Sequence, residues 1–390
     1  MIRQIYFDNS ATTKISEEAL RRYCEVSLAD FGNPSSLHKM GLDAEKILDS
    51  ARSEILSSLG AQGSSVIFTA SGSEANNLAI LGRAFAKERY SRGGKIITTD
   101  SEHASVYAPL ERLASLGFNV VKIPTRGGVI DLEVLKKELT REVILVTMML
   151  VNNETGALYD IPAVSALMKR QSPEALLHVD ATQGYMKLPV LKSRLGADMI
   201  TVSAHKIEGP KGIGALVVDG RVLKSRGLSP VVFGGGQELG LRSGTENVPA
   251  VAAFGEAVKI ARAELSERHK TLLGLRSYLT EKLDTDAALS EISYINPDSH
   301  APHILNITLP KIKSETMLHY LSSFGIYVSS GSACSSNAPG VSSALLAFGK
   351  SESEADCSLR ISFSHRNTFS ELDELTDALA SGVARLSRIR

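Results

Sequence analysis

The chain has 390 residues, with 43 basic against 43 acidic side chains, 43% hydrophobic and 22% charged. This is an ordinary globular composition, long enough for two domains with a sizeable core, and without the net charge that would draw nucleic acid or an anionic membrane surface. No apolar run approaches the roughly 20 residues of a membrane helix, and Cys24, Cys334 and Cys357 are too few and too scattered for a disulfide framework or a zinc site.

The opening "MIRQIYFDNSATTK" lacks the apolar core of a signal peptide. A reducing, cytoplasmic setting is therefore expected, with no membrane, nucleic-acid or metal partner. Seven apolar runs follow: "SVIFTA" (65–70), "KIITTD" (95–100), "NVVKIP" (119–124), "VILVTMML" (143–150), "LLHVD" (176–180), "MITVSA" (199–204) and "GALVV" (214–218). Amphipathic stretches such as "SEANNLAILGRAFAKERY" and "SVYAPLERLASLG" separate most of them. Continuous apolar strands alternating with helices predict an α/β fold with a mostly parallel sheet covered on both faces.

After about residue 247 the pattern changes. "VPAVAAFGEAVKIARAELSERHKTLLGLRSYLTEKL" keeps helical spacing over many turns and reads as one long helix. Strand-like "ISYIN", "ILNITL", "IYVSS" and "SLRISFS" then mix with further helices. A smaller α+β domain hinged on the long helix is expected. The boundaries would be 15–257 for the large domain, with 1–14 and 258–390 forming the small one.

Ligands of such sheets bind at the carboxyl ends of the strands. After "VIFTA", Ser71, Gly72 and Ser73 open a helix and offer either a phosphate cup or a plain N-cap. His103 ends "KIITTDSEH" and suits ring stacking, proton transfer or a structural role. Asp180 ends an apolar strand, where its carboxylate must find a partner. A pyridinium nitrogen or a capped turn would serve. "SAHKIEGPKG" brings Ser203, His205 and Lys206 to one turn, with Lys206 as a candidate amine nucleophile or a surface lysine. Each is ambiguous alone. Together they are the parts needed to hold pyridoxal 5′-phosphate and tune it as an electron sink.

The chain resembles the NifS/IscS-type cysteine desulfurases of the class V aminotransferase superfamily, fold-type I. The shared motifs run nearly end to end: "YFDNSATT", "FGNPSS", "IFTASGSEANNLAI", "SEHASV", "VNNETG", "HVDATQ", "SAHKIEGPKGIGAL", "GGGQELGLRSGTENV", "APHILNITL", "SSGSACSS" and "LRISFS". The resemblance implies a seven-stranded large domain, a small domain carrying a cysteine loop, and a homodimer. Lys206 would hold the cofactor as a Schiff base, Asp180 would pair with the pyridine nitrogen, and His103 would stack on the ring. Asn153 and Gln183 would bond the phenolic oxygen. Gly72, Ser73, Ser203 and His205 would hold the phosphate, and Thr245 would reach the phosphate of the other subunit. Arg360 would clamp the substrate carboxylate, assisted by Asn33. Lys206, alone or with His103, would take the Cα proton of L-cysteine. Cys334 would attack the substrate sulfur as a thiolate, releasing L-alanine and carrying a persulfide to an iron–sulfur scaffold or a thiolation acceptor.

The long spacing from Cys334 to Arg360 resembles the subgroup with an extended cysteine loop, so a poorly ordered Cys334 is expected. Glu208 stands where many relatives carry an aromatic residue, with little effect on chemistry expected. Gln237 stands where some have His. Cys24 and Cys357 match no motif and read as packing residues. A selenocysteine lyase would use the same parts, a class V aminotransferase would not need Cys334, and a silent scaffold protein would not need the intact set.

Overall fold

The computed structural model describes residues 3–87, 94–330 and 342–386. Its central sheet has seven strands, in the spatial order Ser64–Thr69, Gly214–Asp219, Met199–Ser203, Leu176–Asp180, Val143–Met149, Lys95–Thr99 and Asn119–Ile123. All neighbours run parallel except Gly214–Asp219, which is antiparallel to both strands beside it. Each of the seven apolar runs forms a strand whose ends fall within one residue of the expected ones. The reason is burial on both faces: every residue of Val143–Met149 and Met199–Ser203 is buried, and such strands need unbroken apolar runs. The polar residues inside the sheet satisfy one another. His178 bonds Thr147 Oγ1 at 2.8 Å through Nδ1 and Thr201 Oγ1 at 3.0 Å through Nε2. Burial holds its pKa down at about 4, so the ring is neutral.

Helices cover both faces. Gly72–Lys87 and Ala104–Ser115 pack Ala75, Leu78, Val106 and Leu110 on one side. Lys39–Ser58, Ile161–Gln171 and Val248–Ala263 pack Leu48, Ile55, Val164, Val251 and Phe254 on the other. A separate apolar cluster, including Leu272, Leu279, Ile307, Leu321, Ile361 and Leu375, lies on a four-stranded antiparallel sheet. That sheet runs Ser293–Ile295, Ile304–Thr308, Ser358–Ser362, Ser329–Ser330. The N-terminal strand Ile5–Tyr6 pairs in parallel with Ile326–Tyr327, and Phe7 meets Phe363 edge-on, with centroids 6.1 Å apart.

Two expectations are corrected. The long helix is two helices, Val248–Ala263 and Leu265–Thr285, separated by Glu264 at φ −101°, ψ 2°. The Glu264 carboxylate accepts from Arg268 Nε at 2.9 Å, and the break lets buried Arg268 also reach Glu208. A periodic apolar pattern passes through such a break unchanged. Cys24 does not pack: it is exposed on the helix Glu17–Ala29, whereas Cys357 is half-buried before the strand Ser358–Ser362. Among the described residues no helix is long and apolar enough to cross a membrane.

Candidate active site

The strand ends of the central sheet open on a cavity of about 320 Å³. Gly72, Ser73, His103, Asn153, Asp180, Gln183, Ser203, His205, Lys206 and Arg360 all line it. Residues 72 to 206 meet here because a parallel sheet delivers successive strand ends to one edge, and Arg360 joins them from the strand Ser358–Ser362 of the antiparallel sheet.

At one end, the helix Gly72–Lys87 points its first turn at the cavity. The first N–H groups of a helix lack partners within it and favour anions. Ser71 Oγ caps the Glu74 N–H at 3.2 Å, so the plain capping role is real and belongs to Ser71. The Glu74 carboxylate is drawn away from the cup by the Ala70 N–H and by Arg242, at 2.9 and 2.8 Å. Gly72 sits so close to the strand edge that a Cβ would lie 3.3 Å from Thr182 Oγ1 and 3.5 Å from Ser203 Cβ. Gly214 is tighter: its Cβ would stand 2.6 Å from Ser71 C and 2.8 Å from Gly72 N. Gly214→Ala must therefore push the backbone of the cup. We expect about ten- to hundredfold weaker binding of pyridoxal 5′-phosphate, for about 1–3 kcal/mol of overpacking, with the circular dichroism of the fold retained. Cofactor titration by absorbance checks this.

Asp180 sits at the end of its strand with both oxygens engaged. Oδ1 accepts the Thr182 N–H at 3.0 Å and Oδ2 accepts Asn76 Nδ2 at 2.8 Å. Beside it, Glu102 accepts from Thr99 Oγ1 at 2.6 Å and from the Met149 N–H at 3.0 Å, tying two strand ends together. Burial pushes its carboxyl up to about 8, which favours the uncharged form beside Asp180. His103 caps the helix Ala104–Ser115 with its own ring, and burial lowers its pKa. Burial, followed by the charges of Lys206 and Lys211, brings His205 down to about 4.

Lys206 ends the 3₁₀ turn Ala204–Lys206 that follows the strand Met199–Ser203. Its Nζ donates to the carbonyls of Ser10 and Ala11, at 2.5 and 2.8 Å. The N-terminal segment is stitched to the same turn and to the end of the neighbouring strand: Thr13 N–H donates to His205 O at 2.9 Å, and Gln183 Nε2, just past the strand Leu176–Asp180, donates to Ser10 O at 3.0 Å. On the opposite wall Arg360 is 3% exposed. It donates to Asp8 Oδ1 at 2.8 Å and to Asn153 O at 3.0 Å, and its Nε remains buried without a partner. The Arg360 guanidinium lines the cavity and suits an incoming carboxylate.

Three expected residues stand apart. Asn33 does not line the cavity; it is exposed, and its side chain is used locally, accepting the Ser35 N–H at 2.9 Å. Its short polar side chain follows the turn rules of Asn rather than those of a substrate contact. Thr245 is exposed and lines a different hollow with Phe68, Arg242 and Asn247. Cys334, with its expected poor order, lies outside the described residues. Sequence reasoning missed Asp8, Ser10 and Ala11, whose motif "FDNSATT" was its only signal, and Asn76 and Ser105, which lie within the motifs "SGSEANN" and "SEHAS".

The residues fit pyridoxal 5′-phosphate. Ser203 Oγ, Ser10 Oγ and Asn76 Oδ1 are buried and lack partners on the cavity wall, and such groups call for a polar occupant. A helix start with Ser203 and His205 suits a phosphate, Asp180 a protonated ring nitrogen, and Lys206 a carbonyl carbon. Among the described residues no group of three or more His, Cys, Asp or Glu is arranged to hold a metal ion.

The family model described as aminotransferase class-V matches residues 5–375. The chain belongs to the class V aminotransferase family. It is 38% identical to cysteine desulfurase IscS of Buchnera aphidicola subsp. Schizaphis graminum, covering 99% of this chain and 94% of the relative. A solved NifS-like protein superposes with a TM-score of 0.90 at 34% identity, over 98% of this chain and 100% of that one. A solved structure described as SspA in complex with cysteine gives a TM-score of 0.79 at 31% identity, over 94% and 100%. The expected α/β class, with its mostly parallel sheet, is the architecture these class V proteins share with this chain.

Proposed function

We propose that this protein is a pyridoxal 5′-phosphate-dependent cysteine desulfurase, converting L-cysteine to L-alanine and a persulfide on Cys334. The observation that carries the reading is the meeting of Lys206, Asp180, His103 and Arg360 around one cavity. The family relationship and the names of the relatives support it. The bound cofactor would supply an electron sink for the charge left when Cα loses its proton.

The chain's own residues do the rest. Gly72, Ser73, Ser203 and His205 would hold the phosphate, and Asp180 would favour the protonated form of the ring nitrogen. Asn153, Gln183 and His103 would help to hold the ring. Lys206 anchors the cofactor and moves the Cα proton. Arg360 takes the substrate carboxylate, with Asp8 fixing its guanidinium. The Cys334 thiolate then forms an S–S bond to the substrate sulfur while the Cβ–S bond breaks. Its electron pair stays on carbon, which takes up a proton to become the methyl group of alanine. The persulfide would pass to an iron–sulfur scaffold or a thiolation acceptor.

A reactive thiol requires a reducing compartment, so we place the protein in the cytoplasm. We also propose a homodimer in which Thr245 serves the partner's phosphate. Large apolar side chains stand open in the connection between the helices Glu17–Ala29 and Lys39–Ser58 and in the segment before Thr245: Phe31 is 68% exposed, Leu37 95% and Phe233 80%, and exposed apolar groups of this size mark surfaces that become covered. Residues 15–257 would act as the cofactor-binding unit and 1–14 with 258–390 as the smaller one; the two apolar clusters follow this division in the main, with Val258, Ala261, Ala301 and Ile304 joining the larger one.

Mass spectrometry of the protein after treatment with L-cysteine tests the reaction. One added sulfur on Cys334 and stoichiometric alanine are expected. Alanine release at an undiminished rate from Cys334→Ala would remove that residue from the chemistry, and absence of both products would overturn the reading.

A further inference from the structure

His103 Nδ1 accepts the backbone N–H of Ser105 at 3.1 Å. A backbone N–H can only donate, so Nδ1 carries no hydrogen and the neutral ring holds its hydrogen on Nε2. This one bond fixes the direction of every bond beyond it. The Ser105 hydroxyl lies 2.8 Å from the same Nδ1 and must donate to it. Ser105 Oγ in turn accepts from Asn76 Nδ2 at 2.9 Å, and the second hydrogen of that amide goes to Asp180 Oδ2 at 2.8 Å. Asn76 is 1% exposed. Turning its amide over would set Oδ1 against the Asp180 carboxylate, so the charge on Asp180 dictates the orientation. A directed chain thus runs from the carboxylate through an amide and a hydroxyl to the imidazole.

We propose that Asn76 and Ser105 are positioning residues that hold His103 as the neutral Nε2–H imidazole, so that His103 serves as a flat uncharged platform and proton transfer at the substrate falls to Lys206. The inference rests on the desulfurase reading for its catalytic half. A proton arriving at His103 has only Nδ1 to bind, where two donors already point; binding it would break the bond from the Ser105 N–H and force the Ser105 hydroxyl to turn round. Burial disfavours the charged ring as well, Lys206 and Arg360 add to this, and Asp180 alone opposes them. Asn76 keeps its unpartnered Oδ1 in this arrangement, which is what an amide oriented by its donor side would do.

The test is ¹⁵N NMR of the imidazoles in cofactor-free and cofactor-loaded protein, with His103 assigned by loss of its signals in His103→Gln. The neutral Nε2–H form at pH 7 is expected in both. Because Asn76 lies in the core, Ser105→Ala carries the perturbation: it removes the hydroxyl but keeps the backbone N–H. His103 should then titrate at a higher pH, and Ser105→Thr should restore the original midpoint. Exchange of the α-hydrogen of L-alanine in D₂O separates the catalytic roles. His103→Phe is expected to slow it about tenfold through poorer seating of the ring, and Lys206→Ala by at least about a thousandfold. An Nδ1–H tautomer or an imidazolium at pH 7 would overturn the positioning claim. Exchange lost in His103→Phe as fully as in Lys206→Ala would overturn the platform claim. A protein that neither binds the cofactor nor releases alanine from L-cysteine sinks the desulfurase reading instead, and the tautomer in cofactor-free protein still decides the positioning claim.

Discussion

Lys206→Ala is expected to give a folded, colourless protein whose alanine release from L-cysteine falls at least about a thousandfold. The fold should survive because Lys206 is half-buried, and its partners are the carbonyls of Ser10 and Ala11, which water can reach once the side chain is gone. The chemistry should not survive, because a Schiff base needs an amine at this position. Lys206→Arg sharpens the test. Arginine keeps the positive charge and can still satisfy the two carbonyls, but it does not lose its proton and cannot serve as nucleophile or base. Near-normal absorbance and turnover in the arginine variant would show that charge alone is needed and would remove Lys206 from the proposed mechanism.

Glu208→Gln should cost about 3 kcal/mol of stability at pH 7, at the low end for removing one partner of a buried ion pair. Glu208 is buried two residues beyond Lys206, with φ 64°. Its backbone is pinned on both sides, with N–H donating to Thr13 Oγ1 at 2.8 Å and the carbonyl accepting the Ser16 N–H at 2.9 Å. Its carboxylate accepts from Arg366 Nε at 3.0 Å and faces Arg268 at 3.5 Å. Burial alone would raise the Glu208 carboxyl, but the Arg366 hydrogen bond and the charges of His365, Arg268 and Arg366 hold it below the ordinary range. The stability from a depressed carboxylate is present above its unfolded pKa of about 4.3 and is lost as the pH falls through the folded value. The gap in urea midpoint between wild type and E208Q should therefore close in acid. Lys187 gives an internal control. Burial lowers its ammonium to about 8, and the Glu208 charge offsets part of that. Lys187→Met should cost less in the E208Q background than alone, which a double-mutant cycle measures.

Much of the fold was legible because the central strands are buried on both faces, so each appears as a bounded apolar run. The strand ends were legible because Asp180, His103 and Lys206 are polar residues placed where an apolar strand stops. The junction around Glu208 was not. Its cationic partners lie at positions 268 and 366, and nothing local announces that a lysine-adjacent Glu will meet them; only a small effect on chemistry was expected there, and stability is where the structure places its weight. The break at Glu264 was hidden by a helical period that continues across it. The Ser10 and Ala11 carbonyls were hidden because a backbone acceptor has no side-chain signature, and any residue type can supply one. Asn33 was expected near the substrate from its motif alone; its side chain accepts the Ser35 N–H in a local turn.

The N-terminal stretch carries a consequence for synthesis. Ile5 pairs with Ile326 and Asp8 bridges Ser362, while the Ser10 carbonyl between them and the helices receives Lys206. Residues 5–8 are thus seated by residues that lie far downstream, at positions 326 and 362. Closing loops of this length costs entropy before any contact repays it, and the wall that holds the lysine cannot settle until the strand Ser358–Ser362 has emerged. A chain cut short before that strand lacks the bridge to Asp8 and the Arg360 side chain that bonds its carboxylate. Full assembly of the cavity wall thus waits for the strand Ser358–Ser362.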